Sequence, residues 1–358
     1  ILMFFLLKLK YLSINIKLMI NKVCLLLITN KKYKGEFNMN NLRKIGLTAL
    51  AGSLVASSVA YAGEMSATGA AEMKISNHSQ SAAGKTVAMG NSVTFAGSGE
   101  TDGGLTVNAS FEMDQGTEDP GPFDSHSVSV GSDTLGTLKV HGHGGSNAAA
   151  MRDATASGDL WDNTLGITTA SDGAGKTPQS GASGNGLVVY SLPEIAEGVT
   201  LDISYATAGE NFEGSTAIGT TITTIEGLTI NLGFSEDAGT VASTREQTFM
   251  GAEYVYGSLT VGVSLNDWEH TDASSDQETT SFGISYTVTD SISVSYGQDT
   301  IENNTDTADV EVDGITASYT SGGMTVTAKK IGGDNVDGSS TGVNNNNEMF
   351  KLSASFAF

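Results

Sequence analysis

A turn residue followed by strict alternation of apolar and polar side chains recurs along this chain, and few folds accept that pattern. Three copies are Gly104-Leu105-Thr106-Val107-Asn108-Ala109, Gly198-Val199-Thr200-Leu201-Asp202-Ile203 and Gly227-Leu228-Thr229-Ile230-Asn231-Leu232. Variants begin at Ser258, Ser291 and Gly323, and a weaker copy begins at Thr137. Their first apolar positions are 105, 138, 199, 228, 259, 292 and 324, spaced by 29 to 33 residues apart from one gap of 61. A period of about 30 is one β-hairpin: two strands of about ten residues, a tight turn and a longer loop.

Alternation puts Leu, Val, Ile, Phe and Tyr on one face and Thr, Ser, Asn, Gly and Asp on the other. A soluble sandwich would bury the apolar face, whereas a membrane barrel turns it to lipid and keeps the polar face around water. The last strand favours the barrel. Phe350, Leu352, Ala354, Phe356 and Phe358 share one face, with Lys351, Ser353 and Ser355 on the other. A strand at 63–76 and the seven repeats give eight outgoing strands. Returning strands are expected near 86–97, 124–131, 186–192, 215–224, 246–256, 278–288, 309–319 and 348–358. Sixteen is an even number, as closure of an antiparallel barrel without a free edge requires, and it leaves an aqueous lumen.

The beginning of the chain has a different character. Residues 1–38 lack Ala, Pro, Arg, Asp, His, Gln and Trp, the composition of translated AT-rich DNA, and Lys34-Gly35-Glu36 can be encoded by a ribosome-binding sequence placed for initiation at Met39. Lysines at 8, 10, 17 and 22 break the apolar runs far below the ~18 residues of a spanning helix. Residues 1–38 are therefore expected to be upstream non-coding translation. Residues 39–62 have the form of a signal peptide: Arg43 and Lys44, an apolar stretch from Ile45 to Val59, and the small-x-small site Ala60-Tyr61-Ala62. The mature, exported barrel is expected to span 63–358.

Of 18 Lys and Arg, seven precede Met39 and two lie in the signal peptide; of 40 Asp and Glu, only Glu36 is lost. Nine bases then stand against 39 acids. That balance argues against nucleic acid as a partner and favours cations. The single cysteine, Cys24, is also upstream, so disulfides cannot contribute.

The 61-residue gap holds one ordinary hairpin and about 30 extra residues in the Gly/Ala/Ser-rich segment 142–186, with a helical turn expected at 147–155. Such a loop is unusual unless functional. Together with Gly99-Glu100-Thr101-Asp102-Gly103-Gly104-Leu105 leading to Ala109-Ser110-Phe111, and Gly136-Thr137-Leu138-Lys139-Val140 leading to the glycine-rich stretch, the ensemble resembles the trimeric general-diffusion porins of Gram-negative bacteria, particularly the alphaproteobacterial type. The resemblance implies an all-β, 16-stranded antiparallel transmembrane β-barrel whose long third extracellular loop folds into the lumen. It implies a homotrimer in outer-membrane lipid and lipopolysaccharide, passing small hydrophilic solutes. Phe356 and Phe358 would be the signal read by the barrel-assembly machinery. The constriction loop would present Asp153, Asp159 and Asp162 to a basic wall, which alternation assigns to Lys74, Lys139, Lys329 and Lys351, with Arg245 elsewhere. The acidic excess predicts cation preference, although loop acids are screened within about 8–10 Å.

Other signals are weaker. His141 and His143 stand two apart on one face of a strand, but without a third ligand they read as polar lumen side chains rather than a metal site. The acidic runs 267–278 and 299–313 are expected in extracellular loops. They offer carboxylates to Ca²⁺ but lack the spacing of a calcium motif. Trp161 and Trp268 are expected as belt or loop aromatics, and Tyr205, Tyr254, Tyr256, Tyr296 and Tyr319 as belt residues. No nucleophile elbow, phosphate loop or zinc helix motif is present, so no enzyme and no cofactor are expected. The alternative is a non-porin barrel acting as adhesin or structural surface protein.

Overall fold

The computed structural model describes residues 65–79, 85–114, 123–158, 160, 177–179, 181, 183–184, 186–207, 214–238, 244–341 and 346–358. The expected upstream segment, the leader and Trp161 lie outside them. The first strands are β1 (Met65–His78), β2 (Lys85–Glu100), β3 (Thr106–Asp114), β4 (Ser125–Ser132) and β5 (Gly136–His143). A two-stranded sheet of β6 (Gly145–Ser146) and β7 (Ser183–Gly184) closes the base of the long loop. Then follow β8 (Leu187–Ser191), β9 (Val199–Ala206), β10 (Gly214–Ile225), β11 (Leu228–Ala238), β12 (Thr244–Tyr256) and β13 (Leu259–His270). The last are β14 (Gln277–Thr289), β15 (Ile292–Asn303), β16 (Val310–Ser321), β17 (Met324–Asp334) and β18 (Asn347–Ala357).

Sixteen of these form one closed antiparallel barrel in chain order, sealed where β1 pairs with β18. The seal ends with Gly69 and Phe358 exchanging backbone hydrogen bonds, N to O at 2.7 and 3.0 Å. A Cβ on Gly69 would meet the ring of Phe358, which would have to turn aside. Tight turns alternate with long connections. Gly198 and Gly227 enter two outgoing strands at φ of 73° and 76°, a conformation that costs a residue with a Cβ more than glycine.

Burial is inverted relative to a soluble sheet. On β9, Asp202 and Ser204 are 6 and 9% exposed, whereas Ile203 and Tyr205 are 43 and 50% exposed. The same reversal leaves Met73, Val87, Leu138, Ile284, Ile315 and Leu352 on the outside. The apolar rows therefore form the outer surface and the polar rows face the lumen. Tyr205, Tyr254, Tyr256 and Tyr319 are among the exposed outer residues.

Three local expectations need correction. Most of the two acidic runs is strand: 267–270 belongs to β13, 277–278 to β14, 299–303 to β15 and 310–313 to β16. Acid alternating with neutral residues simply continues the strands. Trp268 is neither belt nor loop aromatic; it is fully buried on the lumen face of β13. His141 and His143 do not share a face, because a bulge at Gly142 pairs His141 with Ser127 but His143 with His126.

Candidate functional site

Glycines on the lumen face prepare the seat of the long loop. Gly219 pairs with Gly233, and Gly262, Gly283, Gly297 and Gly314 pair in succession across β13 to β16. Without side chains these rungs let a backbone lie directly on the wall. A Cβ on Gly219 would overlap the carbonyl oxygen of Ala148, one on Gly283 that of Ala156, and one on Gly297 that of Ser157. The loop residues 147–158 and 160 thus run along the inner wall from β9 to β17. It begins with a single turn in which the Met151 amide reaches the Asn147 carbonyl at 3.0 Å.

Wall side chains hold that track. The Ala148 amide donates to Ser204 Oγ at 2.9 Å and the Ala156 amide to Ser264 Oγ at 3.1 Å. Ser157 Oγ donates to Asp299 Oδ2 at 2.7 Å, and Arg152 makes a buried ion pair with Asp202. Leu160 enters an apolar socket of Ile301, Val310, Val312, Ile331, Val336 and Met349. Burying a leucine in this way is worth about 1.5–3 kcal/mol.

Buried amides secure the return leg. Gln277 accepts from the Gln179 amide at 2.7 Å and donates to the Thr177 carbonyl at 3.1 Å. The Gln179 carbonyl accepts from Asn266 Nδ2 at 2.9 Å and from Trp268 Nε1 at 3.2 Å. Gln247 bridges Asp153 and Asn266, and the Gly181 amide adds a second tie to Asp153 at 3.0 Å.

With the loop against β9–β17, open space remains on the other side. A cavity of about 590 Å³ is lined by Asn108, Ser110, Ser127, Ser129, Lys139, His141, Met151 and Asp202, among others. Lys74, Lys329 and Lys351 also face the lumen, on the contiguous strands β1, β17 and β18. Lys139 stands apart from them on β5. Arg245 lies across the lumen, paired with Asp237 at 3.1 Å and stacked 4.6 Å from the centre of the Trp268 ring. Asp153 is tied to the wall, and Asp159 and Asp162 lie outside the described residues. Phe356 points outward opposite Ala71. Among the described residues no group of three or more His, Cys, Asp or Glu is placed to hold a metal ion.

Sequence reasoning missed the glycine rungs, the buried amides and the Leu160 socket. Only the recurrence of glycine at lumen-facing parity in successive strands signalled the first.

A model of Gram-negative porins matches residues 46–339. No curated protein matches the chain. Among solved structures, an anion-selective porin from Comamonas acidovorans is similar at a TM-score of 0.59 and 15% identity, covering 83% of this chain and 100% of that one. The trimer form of OmpT, an outer membrane protein of Vibrio cholerae, is similar at 0.62 and 15%, with 83 and 100% covered. A mutant of Rh. blastica porin is similar at 0.57 and 17%, with 82 and 100% covered.

Proposed function

This chain belongs to the Gram-negative porin family and resides in the outer membrane, and on that premise we propose that it forms a water-filled channel for passive diffusion of small hydrophilic solutes and ions. The observation that carries this reading is the one-sided seat of the loop. It lies on the wall along β9–β17 and leaves a hydroxyl- and lysine-bearing cavity against β3–β5. In this reading 142–186 is the constriction loop, with Asp153, Asp159 and Asp162 as its acids and Lys74, Lys139, Lys329 and Lys351 on the facing wall. Opposed charge across a narrow gap orients dipolar solutes.

The acidic excess around the long-connection end concentrates cations at that entrance and gives the channel a cation preference. The barrel works as a homotrimer, inserted by the barrel-assembly machinery among lipopolysaccharide. The test is conductance of the 63–358 chain in a planar bilayer under a salt gradient. Stepwise openings in threes with a cation-signed reversal potential are expected. An anion-signed potential would overturn the preference alone. Absence of channels from folded protein would favour the adhesin or structural barrel.

A further inference from the structure

Two connections at the long-connection end of the barrel reach the long loop. One joins β15 to β16 through residues 304–309, and the other leaves the end of β17 at Asn335. Ile301, Val310, Val312, Ile331 and Met349 of β15–β18 build the apolar socket that receives Leu160, and Val336 enters it from the second connection. Leu160 is 3% exposed and Val336 2%, so residues from two different loops are buried in one socket.

Alternation alone would not place Val336 there. On β17 the inward row runs through Ile331 and Gly333, opposite Met349 and Asn347, so a strand continued to 336 would turn that residue outward. Asn335 reverses the chain instead. At φ 52° it is the one non-glycine residue in the left-handed region among the described residues. Asparagine enters that region more readily than most residues, yet the conformation persists only where its surroundings hold it. Here Asn335 Nδ2 donates to the Asp309 carbonyl at 3.1 Å, and the Gly338 amide donates to the Asn335 carbonyl at 2.7 Å. The reversal lays Val336 against Gly333, where an added Cβ would come within 2.8 Å of Val336 Cγ1. Asp334 and Asp337, on either side of the turn, stay exposed.

The two connections are tied to each other and to the return leg of the long loop. The Thr307 and Ala308 amides donate to the Gly338 carbonyl at 2.9 and 3.3 Å. Asn303 Nδ2 donates to Asp306 Oδ2 at 2.9 Å, and Gln277 Nε2 donates to Asn303 Oδ1 at 3.1 Å. Gln277 is the side chain that also holds Thr177 and Gln179. Leu160 and the return leg are thus secured on one side of the barrel, through Val336 in the first case and through Asp306, Asn303 and Gln277 in the second.

We propose that Val336 is a positioning residue for the constriction loop, held by the reversal at Asn335, so that the connection after β17 helps to set the size limit for solutes. Val336 closes the socket from the side of that connection. Without it Leu160 loses one wall of its seat, and the loop it anchors gains freedom to leave the barrel wall. The inference rests on the channel reading and adds a determinant of solute size that touches no solute.

The test is liposome swelling with the 63–358 chain, read as the permeation rate of a trisaccharide relative to glucose. Val336→Ala should raise that ratio severalfold. Asn335→Val, a β-branched residue that resists positive φ, should do the same, whereas Asn335→Gly, which accepts it, should have a smaller effect. Val336→Ala combined with Leu160→Ala should add little to either change alone, because both empty one socket. Ser340→Ala, exposed on the same connection, should leave the ratio unchanged. An unchanged ratio in folded Val336→Ala or Asn335→Val channels would overturn the positioning role alone, as would independent effects of Val336→Ala and Leu160→Ala. Folded original protein that passes neither sugar would overturn the channel reading as well.

Discussion

Gln247 Nε2 donates to Asp153 Oδ2 across 2.8 Å, so the loop aspartate is held by the wall behind it. The same amide donates to Asn266 Oδ1 at 3.0 Å, and Asn266 in turn holds the return leg. Replacing Gln247 by Met removes both bonds at nearly constant volume. A buried acceptor left unmatched costs about 1–3 kcal/mol. Faster hydrogen exchange at the Gly181 amide and noisier open-channel current are expected; unchanged exchange would refute this account of the tie.

The glycine rungs make a steric prediction. Gly283→Ala and Gly297→Ala place a methyl group where the Ala156 and Ser157 carbonyls now lie. The loop must move toward the barrel axis, and conductance should fall without loss of the folded barrel. Gly90→Ala is the control, since it also faces the lumen but nothing lies within 4 Å of the added Cβ. Equal conductance in all three variants would remove the glycines from the control of aperture.

Leu160→Ala empties the socket on β15–β18. Large-to-small changes at buried leucines cost about 2–5 kcal/mol, here charged to docking of the loop rather than to the strands. Larger sugars should then enter in liposome-swelling assays, while thermal unfolding of the barrel shifts little. An unchanged size limit together with a large drop in unfolding temperature would make Leu160 a barrel residue instead.

Arg152 and Asp202 join the loop to β9, and both are largely buried. Arg152→Met strands a buried carboxylate, at a cost of about 3–5 kcal/mol. Asp202→Asn in the same chain should recover much of the loss, a coupling that a double-mutant cycle on unfolding or on current noise reads directly. Additive effects of the two changes would show that the pair does not act as a unit.

Much of the barrel was legible because alternation is a local property. Leu105, Val199 and Leu228 each open a strand whose two faces can be read without knowing its neighbours, and the inward parity of Lys74, Lys139, Lys329 and Lys351 follows likewise. What lies opposite a residue is not local. Gly283 reads as a weak strand position until the Ala156 carbonyl is placed against it. Gln247, Asn266 and Gln277 read as lumen-facing polar residues, and only the returned loop makes them buried ties. The histidine pair failed for a different reason. One bulged residue, Gly142, reverses the face of everything after it, and alternation has no sign for that insertion. The acidic runs that hold Glu269 and Glu302 have the composition of loops, yet both residues are strand, because an outer face beyond the apolar band accepts charge.

The seal between β1 and β18 also dictates an order of events. Residues 147–158 and 160 rest on β9 to β17, strands that meet one another through short connections, whereas β1 and β18 come from the two extremes of the barrel sequence. Pairings between distant segments form slowly. On that ground the sheet is expected to pass through an open ribbon whose two edges pair last, with the loop settling on its concave side. In that order of pairing, closure encloses a loop already seated on its wall.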